Sequence, residues 1–199
     1  MGMVSGQNSK PSTNLETLIV TMRTVNGDLL DVKEGFIVQQ CNCNTVKSHG
    51  LAAAIERRFP FCDVYQKRKG IGARNCAITP SEPGTYEVFT HPTEYGYPTI
   101  ICLMAQWSPG KPGAYEKVYP AIKTGERDTA EQRLEWFVQS MSAFLKKCQE
   151  TSVDFAKEPV CIPYQIGCGL AGGDWAAYTK ALEKIEDQFG MQFTVYKLE

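Results

Sequence analysis

The chain has 199 residues, of which 43% are hydrophobic and 22% charged; these globular proportions exclude a disordered, collagen-like or coiled-coil protein and allow a core without disulfides or metal. Lys and Arg number 21 against 22 Asp and Glu, a formal net charge of -1. No general field therefore draws in nucleic acid or an anionic membrane surface, and an anionic ligand must be held by local groups.

Residues 1–15 are small and polar and are expected to form a flexible tail, with a single domain over 16–199. Leu18, Ile19, Val20 and Met22 read as a strand, and Asn26-Gly27-Asp28 as a turn. Phe36 to Cys41 reads as a second strand. Leu51, Ile55 and Phe59 then recur at helical spacing between Gly50 and Pro60. Phe61 to Lys69 suggests a short basic helix ending in a Gly70-Ile71-Gly72 turn. Thr85 to Phe89 alternates like a strand, and the apolar run Thr99 to Ala105 suits a strand buried on both faces. Proline and glycine mark Ser108 to Asp128 as a long surface loop, the kind that often lies over ligands.

Asp128 or Thr129 is expected to cap an amphipathic helix with Leu134, Phe137, Val138, Met141, Phe144, Leu145 and Cys148 on its apolar stripe. A short buried strand, Pro159 to Pro163, precedes a helix that opens at Asp174, buries Tyr178, Leu182, Ile185 and Phe189, and stops at Gly190. Phe193 to Tyr196 closes the chain as a strand. Strands alternating with helices predict an α/β domain with a mixed sheet, whose ligands sit beyond the C-terminal strand ends.

Eight cysteines contain no C-x-x-C pair and the two histidines no H-x-x-x-H, so no metal is expected. No apolar stretch approaches the ~20 residues of a membrane span, and no signal peptide is visible. Reduced thiols and these absences give the expectation of a cytoplasmic or nuclear monomer.

Two strand-to-helix junctions carry the chemistry. The first, Gln39 to Gly50, runs from a hydrophobic strand into Cys41-Asn42-Cys43-Asn44 and then Ser48-His49-Gly50. The second, Ile166 to Trp175, holds four glycines within the seven residues Gly167 to Gly173. Backbone N–H groups converge in such a loop without side chains in the way, and the following helix adds its positive end, so phosphate or pyrophosphate is the natural occupant. Neither junction is a P-loop or a dinucleotide fingerprint. A tight strand-to-helix connection with no ligand is the plain alternative.

These junctions, with the early Asn26-Gly27-Asp28-Leu29, resemble the macrodomain family. Within it, the chain is similar to the branch of stand-alone ADP-ribose 1''-phosphate phosphatases and terminal ADP-ribose protein glycohydrolases. The resemblance runs from about Thr17 to the C-terminus and implies a three-layer α/β/α macrodomain with a mixed central sheet. It implies that Asp28, beside Leu29, accepts from the adenine amino group, or else serves only its own turn. Asn42 and Asn44 would face the distal ribose. Ser48 and Gly50 would lie on one side of the pyrophosphate, and Gly167, Cys168, Gly169, Leu170, Ala171, Gly172 and Gly173 on the other. Trp107 either borders the pocket or packs.

Asp174 and His49 are the candidate catalytic residues, with helix capping the alternative for Asp174. The pattern departs from the family at Gln106 and Ala171, where the glycohydrolases carry a lysine and an aspartate. It departs also at Gln39 or Gln40, where the phosphatases carry a histidine, and at Ser48-His49-Gly50, where they carry three glycines. The expected function is ADP-ribose binding, with hydrolysis of an ADP-ribosyl group on protein or nucleic acid or of the 1''-phosphate, and no cofactor. The alternatives are a non-catalytic ADP-ribose reader and, more remotely, an unrelated thiol hydrolase using Cys168 and His49.

Overall fold

The apolar runs and amphipathic stripes become one sheet wrapped by helices in the computed structural model, which describes residues 22–93 and 95–199. Its strands are β1 (Arg23–Asn26), β2 (Phe36–Asn42), β3 (Tyr86–Phe89), β4 (Thr99–Gln106), β5 (Val160–Pro163) and β6 (Phe193–Lys197). Its helices are α1 (Leu51–Arg58), α2 (Ala130–Glu150) and α3 (Trp175–Phe189). The sheet order is β1-β6-β5-β2-β4-β3, parallel throughout except for β3, which runs antiparallel to β4. Parallel strands need crossover connections and covered faces, which is why β2 and β4 are apolar on both sides.

The period-2 alternation of β2 separates the layers. Phe36 sits 5.2 Å from the ring of Phe144 on α2, and Gln40 accepts from Tyr178 of α3 at 3.1 Å. Gln39 points the other way, donating to Cys102 of β4 at 3.3 Å and to Cys62, just beyond α1, at 3.9 Å. The sheet thus lies between α2 with α3 on one face and α1 with the segment after it on the other, the expected three layers.

Several boundaries differ from the sequence reading. The first described strand is Arg23–Asn26, which pairs with β6. The expected tail and most of the strand expected at Leu18 to Met22 lie outside the described residues; Met22 itself precedes β1. The segment after Pro60 is a series of turns with no regular helix. Its buried residues, Cys62, Val64, Tyr65 and Arg68, recur at near-helical spacing but stand on turns. Arg68 instead reaches the carbonyls of Asn42 and Thr45, both at 2.9 Å. In α2 the cap is Thr129, whose hydroxyl accepts from Gln132 N–H. The buried face is turned toward Arg133, Trp136 and Ser140, while Leu134 and Val138 are half-buried.

In α3 the unexpected core member is Glu186, fully buried between Ile185 and the start of β6. One of its oxygens accepts from Phe193 N–H at 2.7 Å and the other has no partner. Burial, with Glu183 and Asp187 nearby on the same helix, pushes its carboxyl up to about 7. No described helix is long and apolar enough to cross a membrane.

Candidate binding cleft

Beyond the C-terminal ends of β2, β4 and β5 lies a cleft of about 740 Å3, within the ~300–1,000 Å3 range of small-molecule sites. Its walls are the two unusual junctions, together with residues from the long loop after β4. A register shift between Cys41 and Asn42, against β4, ends the regular pairing at this edge and re-aims the chain into the cleft.

The glycine loop is shaped by its own backbone. Gly173 N–H donates to Gly167 O and Gly172 N–H to Gly169 O, both at 3.0 Å, closing two nested turns. Gly167 holds φ +74°, and a Cβ there would lie 2.6 Å from Gln40 Oε1 and from the Tyr178 ring. Only glycine fits that position. Among the described residues the N–H groups of Gly169, Leu170 and Ala171 find no acceptor, and all three line the cleft. Opposite them, the N–H groups of Ser48, His49 and Gly50 are likewise without a protein acceptor at the opening of α1. Gly50 and Leu170 meet across the gap, where a Cβ on Gly50 would stand 3.2 Å from a Leu170 methyl.

The asparagine-rich loop is held from below. Asn42 Oδ1 accepts from Thr45 N–H at 2.8 Å, Thr45 hydroxyl at 2.9 Å and Asn44 N–H at 3.2 Å, so this amide turns its own chain. Asn42 nonetheless lines the cleft, and its Nδ2 is uncommitted. Asn44 is fully buried outside the cleft lining, donating to Trp107 O at 3.0 Å, with its Oδ1 unpartnered. Asn75 Oδ1 takes the N–H groups of Val46 and Lys47 at 3.0 and 2.9 Å and fixes the loop's outer limb.

The other candidates fall into two groups. His49, Gly50, Gly167, Gly169, Leu170 and Ala171 line the cleft with Asn42. Asp28, Leu29, Asn44, Ser48, Cys168, Gly172, Gly173 and Asp174 do not. Asp28 caps a short 3-10 turn by accepting from Leu30 N–H, and Leu29 is core. Ser48 donates to Glu56. Asp174 caps α3, accepting from Ala176 N–H at 3.0 Å. The Cys168 thiol lies against Ile166 O at 3.3 Å. Burial, and then the Asp174 carboxylate, push that thiol up to about 11, against a nucleophilic thiolate. Trp107 is buried, its indole N–H donating to Pro120 O at 2.7 Å.

Sequence reasoning passed over Tyr65, Asn75, Tyr115, Tyr119 and Tyr164, all of which line the cleft. They stand on turns and on the long loop, where no periodicity singles them out. Gln40 and Gln106 carried a signal, as amides at the ends of apolar strands. They form a chain: Tyr178 hydroxyl donates to Gln40, Gln40 to Gln106 at 3.2 Å, and Gln106 to Ser108 O at 3.2 Å. Among the described residues the lining contains no Asp, Glu, Lys, Arg or Cys; His49 and the tyrosines are its ionisable side chains. An anion in this cleft meets main-chain dipoles and amides. Among the described residues no three His, Cys, Asp or Glu gather as a metal site.

No protein-family model matches the chain, and no curated protein does. Solved structures do. The macrodomain of Mycobacterium tuberculosis DarG superposes with TM-score 0.57 at 19% identity, over 89% of this chain and 97% of that one. Thermosipho africanus DarTG in complex with ADP-ribose gives 0.56 at 12% identity, over 89% of this chain and 42% of that one. A protein of unknown function from Bacteroides thetaiotaomicron gives 0.56 at 15% identity, over 89% and 98%. With its mixed six-stranded sheet, its flanking helices and these neighbours, the chain has the macrodomain fold.

Proposed function

We propose that the chain binds ADP-ribose in the cleft at the C-terminal edge of its sheet. The observation that carries this is the row of unused N–H groups from Gly169 to Ala171, across the cleft from those of His49 and Gly50. Two converging sets of amide dipoles in a cleft without cationic side chains suit a pyrophosphate better than any apolar or cationic ligand. In this reading the ligand runs along the sheet edge with its adenine on the β1 side. Asp28 stands beyond β1 at one side, with Oδ1 spent on Leu30 N–H and its second oxygen available to an adenine amino group. Asn42 and Gln106 stand at the ends of β2 and β4 on the other side, where this reading puts the distal ribose. The fold shared with a protein solved with ADP-ribose supports the same reading.

Hydrolysis of an ADP-ribosyl group on protein or nucleic acid, or of the 1''-phosphate, is the second reading. His49 favours it, because it lines the cleft and an imidazole there can serve as a general acid or base. Asp174, spent on capping α3 and outside the lining, would act only after rearrangement. The reader alternative is favoured by a lining without carboxylate or lysine.

Calorimetric titration with ADP-ribose tests the first reading, and absence of binding at about millimolar ligand refutes it. Turnover of ADP-ribosylated protein, ADP-ribosylated DNA and ADP-ribose 1''-phosphate, each with His49→Ala alongside, separates enzyme from reader. No turnover on any of the three leaves the reader. Turnover unchanged in His49→Ala removes His49 from the chemistry.

A further inference from the structure

Arg133 is the one arginine in the first turns of α2 and is almost wholly buried, at 2% exposure. A guanidinium has five N–H donors in a rigid fork, and here each has an acceptor. Nε donates to Asp128 Oδ1 at 2.6 Å. One terminal nitrogen donates to Asp128 Oδ2 at 2.7 Å and to Ser108 O at 3.1 Å. The other donates to Gly110 O at 2.6 Å and to Ala171 O at 3.1 Å. Gly110 belongs to the loop after β4 and Ala171 to the glycine loop, and both line the cleft. One side chain therefore spans two walls of the cleft from behind.

Asp128 closes the first wall. It is the last residue of the long loop, yet its carboxylate takes the N–H and hydroxyl of Ser108 at that loop's start, at 3.1 and 2.6 Å. Burial works against the ionised carboxyl, but the hydrogen bonds from Arg133 and Ser108 outweigh it and hold Asp128 below the usual carboxylate range. The charge pair is internally compensated, so Arg133 adds little long-range attraction for an anion. Its effect is geometric. In the glycine loop, the bonds from Gly173 to Gly167 and from Gly172 to Gly169 tie the two ends. The carbonyl of Ala171, adjoining the unused N–H groups, is tied by Arg133 alone. The stem of Lys111, next to Gly110, packs on Gly172, where a Cβ would stand 2.9 Å from it.

We propose that Arg133 is a positioning residue for anion recognition: by holding Gly110 O and Ala171 O on one guanidinium, it locks the long loop to the glycine loop and aims the Gly169 to Ala171 amides into the cleft. The proposal rests on the ADP-ribose reading for the identity of the anion, but the lock itself is a property of the free protein.

The test compares wild type, Arg133→Gln and a control, Arg127→Gln, which removes a charge from the exposed pair with Glu116 in the same loop. Hydrogen exchange reads the lock without ligand. In Arg133→Gln the Gly172 and Gly173 amides are expected to exchange at least ~10-fold faster, while the amides of β2 and β4 keep their protection. Calorimetry with ADP-ribose, ADP and adenosine reads the consequence. Affinity for the two diphosphates is expected to fall at least ~10-fold, adenosine affinity to stay within ~2-fold, and Arg127→Gln to match wild type throughout.

Unchanged exchange at Gly172 and Gly173, retained diphosphate affinity, or a proportional loss of adenosine affinity each overturns the proposal. If Arg133→Gln does not fold, Arg133→Lys serves. It keeps the charge beside Asp128 but has no fork to hold both carbonyls, so the same pattern is expected at smaller size. If wild type binds none of the three ligands, the ADP-ribose reading fails, and the exchange measurement alone decides the lock.

Discussion

Glu186 offers a stability measurement with a worked magnitude. Its carboxyl is fully enclosed, with Phe193 N–H as its partner, one oxygen unpaired, and Glu183 and Asp187 adding like charge from the same helix. Burial raises it from 4.5 to about 7, a shift that corresponds to about 3 kcal/mol between folded and unfolded states at ~1.4 kcal/mol per unit. Because the folded value lies above the unfolded one, the folded protein holds more protons in this interval. The contribution is fully present below the unfolded value and is lost as pH rises through the folded one, with a limiting slope near 1.4 kcal/mol per pH unit.

Glu186→Gln keeps an oxygen for Phe193 N–H and cannot ionise. Urea unfolding of both proteins from about pH 5 to about pH 8 should show near-equal stability at the acid end and an advantage of roughly 2–3 kcal/mol for the variant at the alkaline end. Other titrating groups are common to both proteins and cancel in the difference. A difference that does not change across this range would refute the assignment.

Three further outcomes follow from the cleft. Gly167→Ala places a Cβ 2.6 Å from Gln40 Oε1 and the Tyr178 ring at φ +74°; loss of ~2 kcal/mol or more of stability and a loss of ADP-ribose affinity of at least ~10-fold are expected from melting and calorimetry. Asp174→Ala removes the α3 cap, so melting should show a cost of ~1 kcal/mol with ADP-ribose affinity changed less than ~2-fold. The carboxyl of Asp128 is held low, so its contribution is present above the unfolded carboxylate range and lost as pH falls through the folded value. Asp128→Asn should therefore flatten the acid limb of wild-type stability, and parallel acid limbs would refute that.

What the sequence disclosed follows from where the constraint was local. Thr99 to Ala105 and Phe36 to Cys41 are apolar because parallel central strands are covered on both faces, and they stand as β4 and β2. The glycine loop was legible because its composition permits a backbone that side chains forbid. The rest depended on partners distant in sequence. Arg133 lies outside the apolar stripe expected for its helix, and nothing local shows that Ser108, Gly110, Asp128 and Ala171 converge on it. Glu186 hid in the same way, its partner supplied by β6. Phe61 to Lys69 suggested a short basic helix, but Arg68 is drawn into the interior by the carbonyls of Asn42 and Thr45.

The unused amides from Gly169 to Ala171 belong to the main chain, and a main-chain donor is identical in every residue but proline. A site built this way places its selective pressure on backbone angles, above all at Gly167 and Gly172 with φ +74° and +70°, and leaves neighbouring side chains free to drift. Leu170, exposed at 71%, keeps an unused N–H at the cleft wall whatever its side chain is. Two proteins can then diverge until little sequence is held in common while the same dipoles still point at the same place.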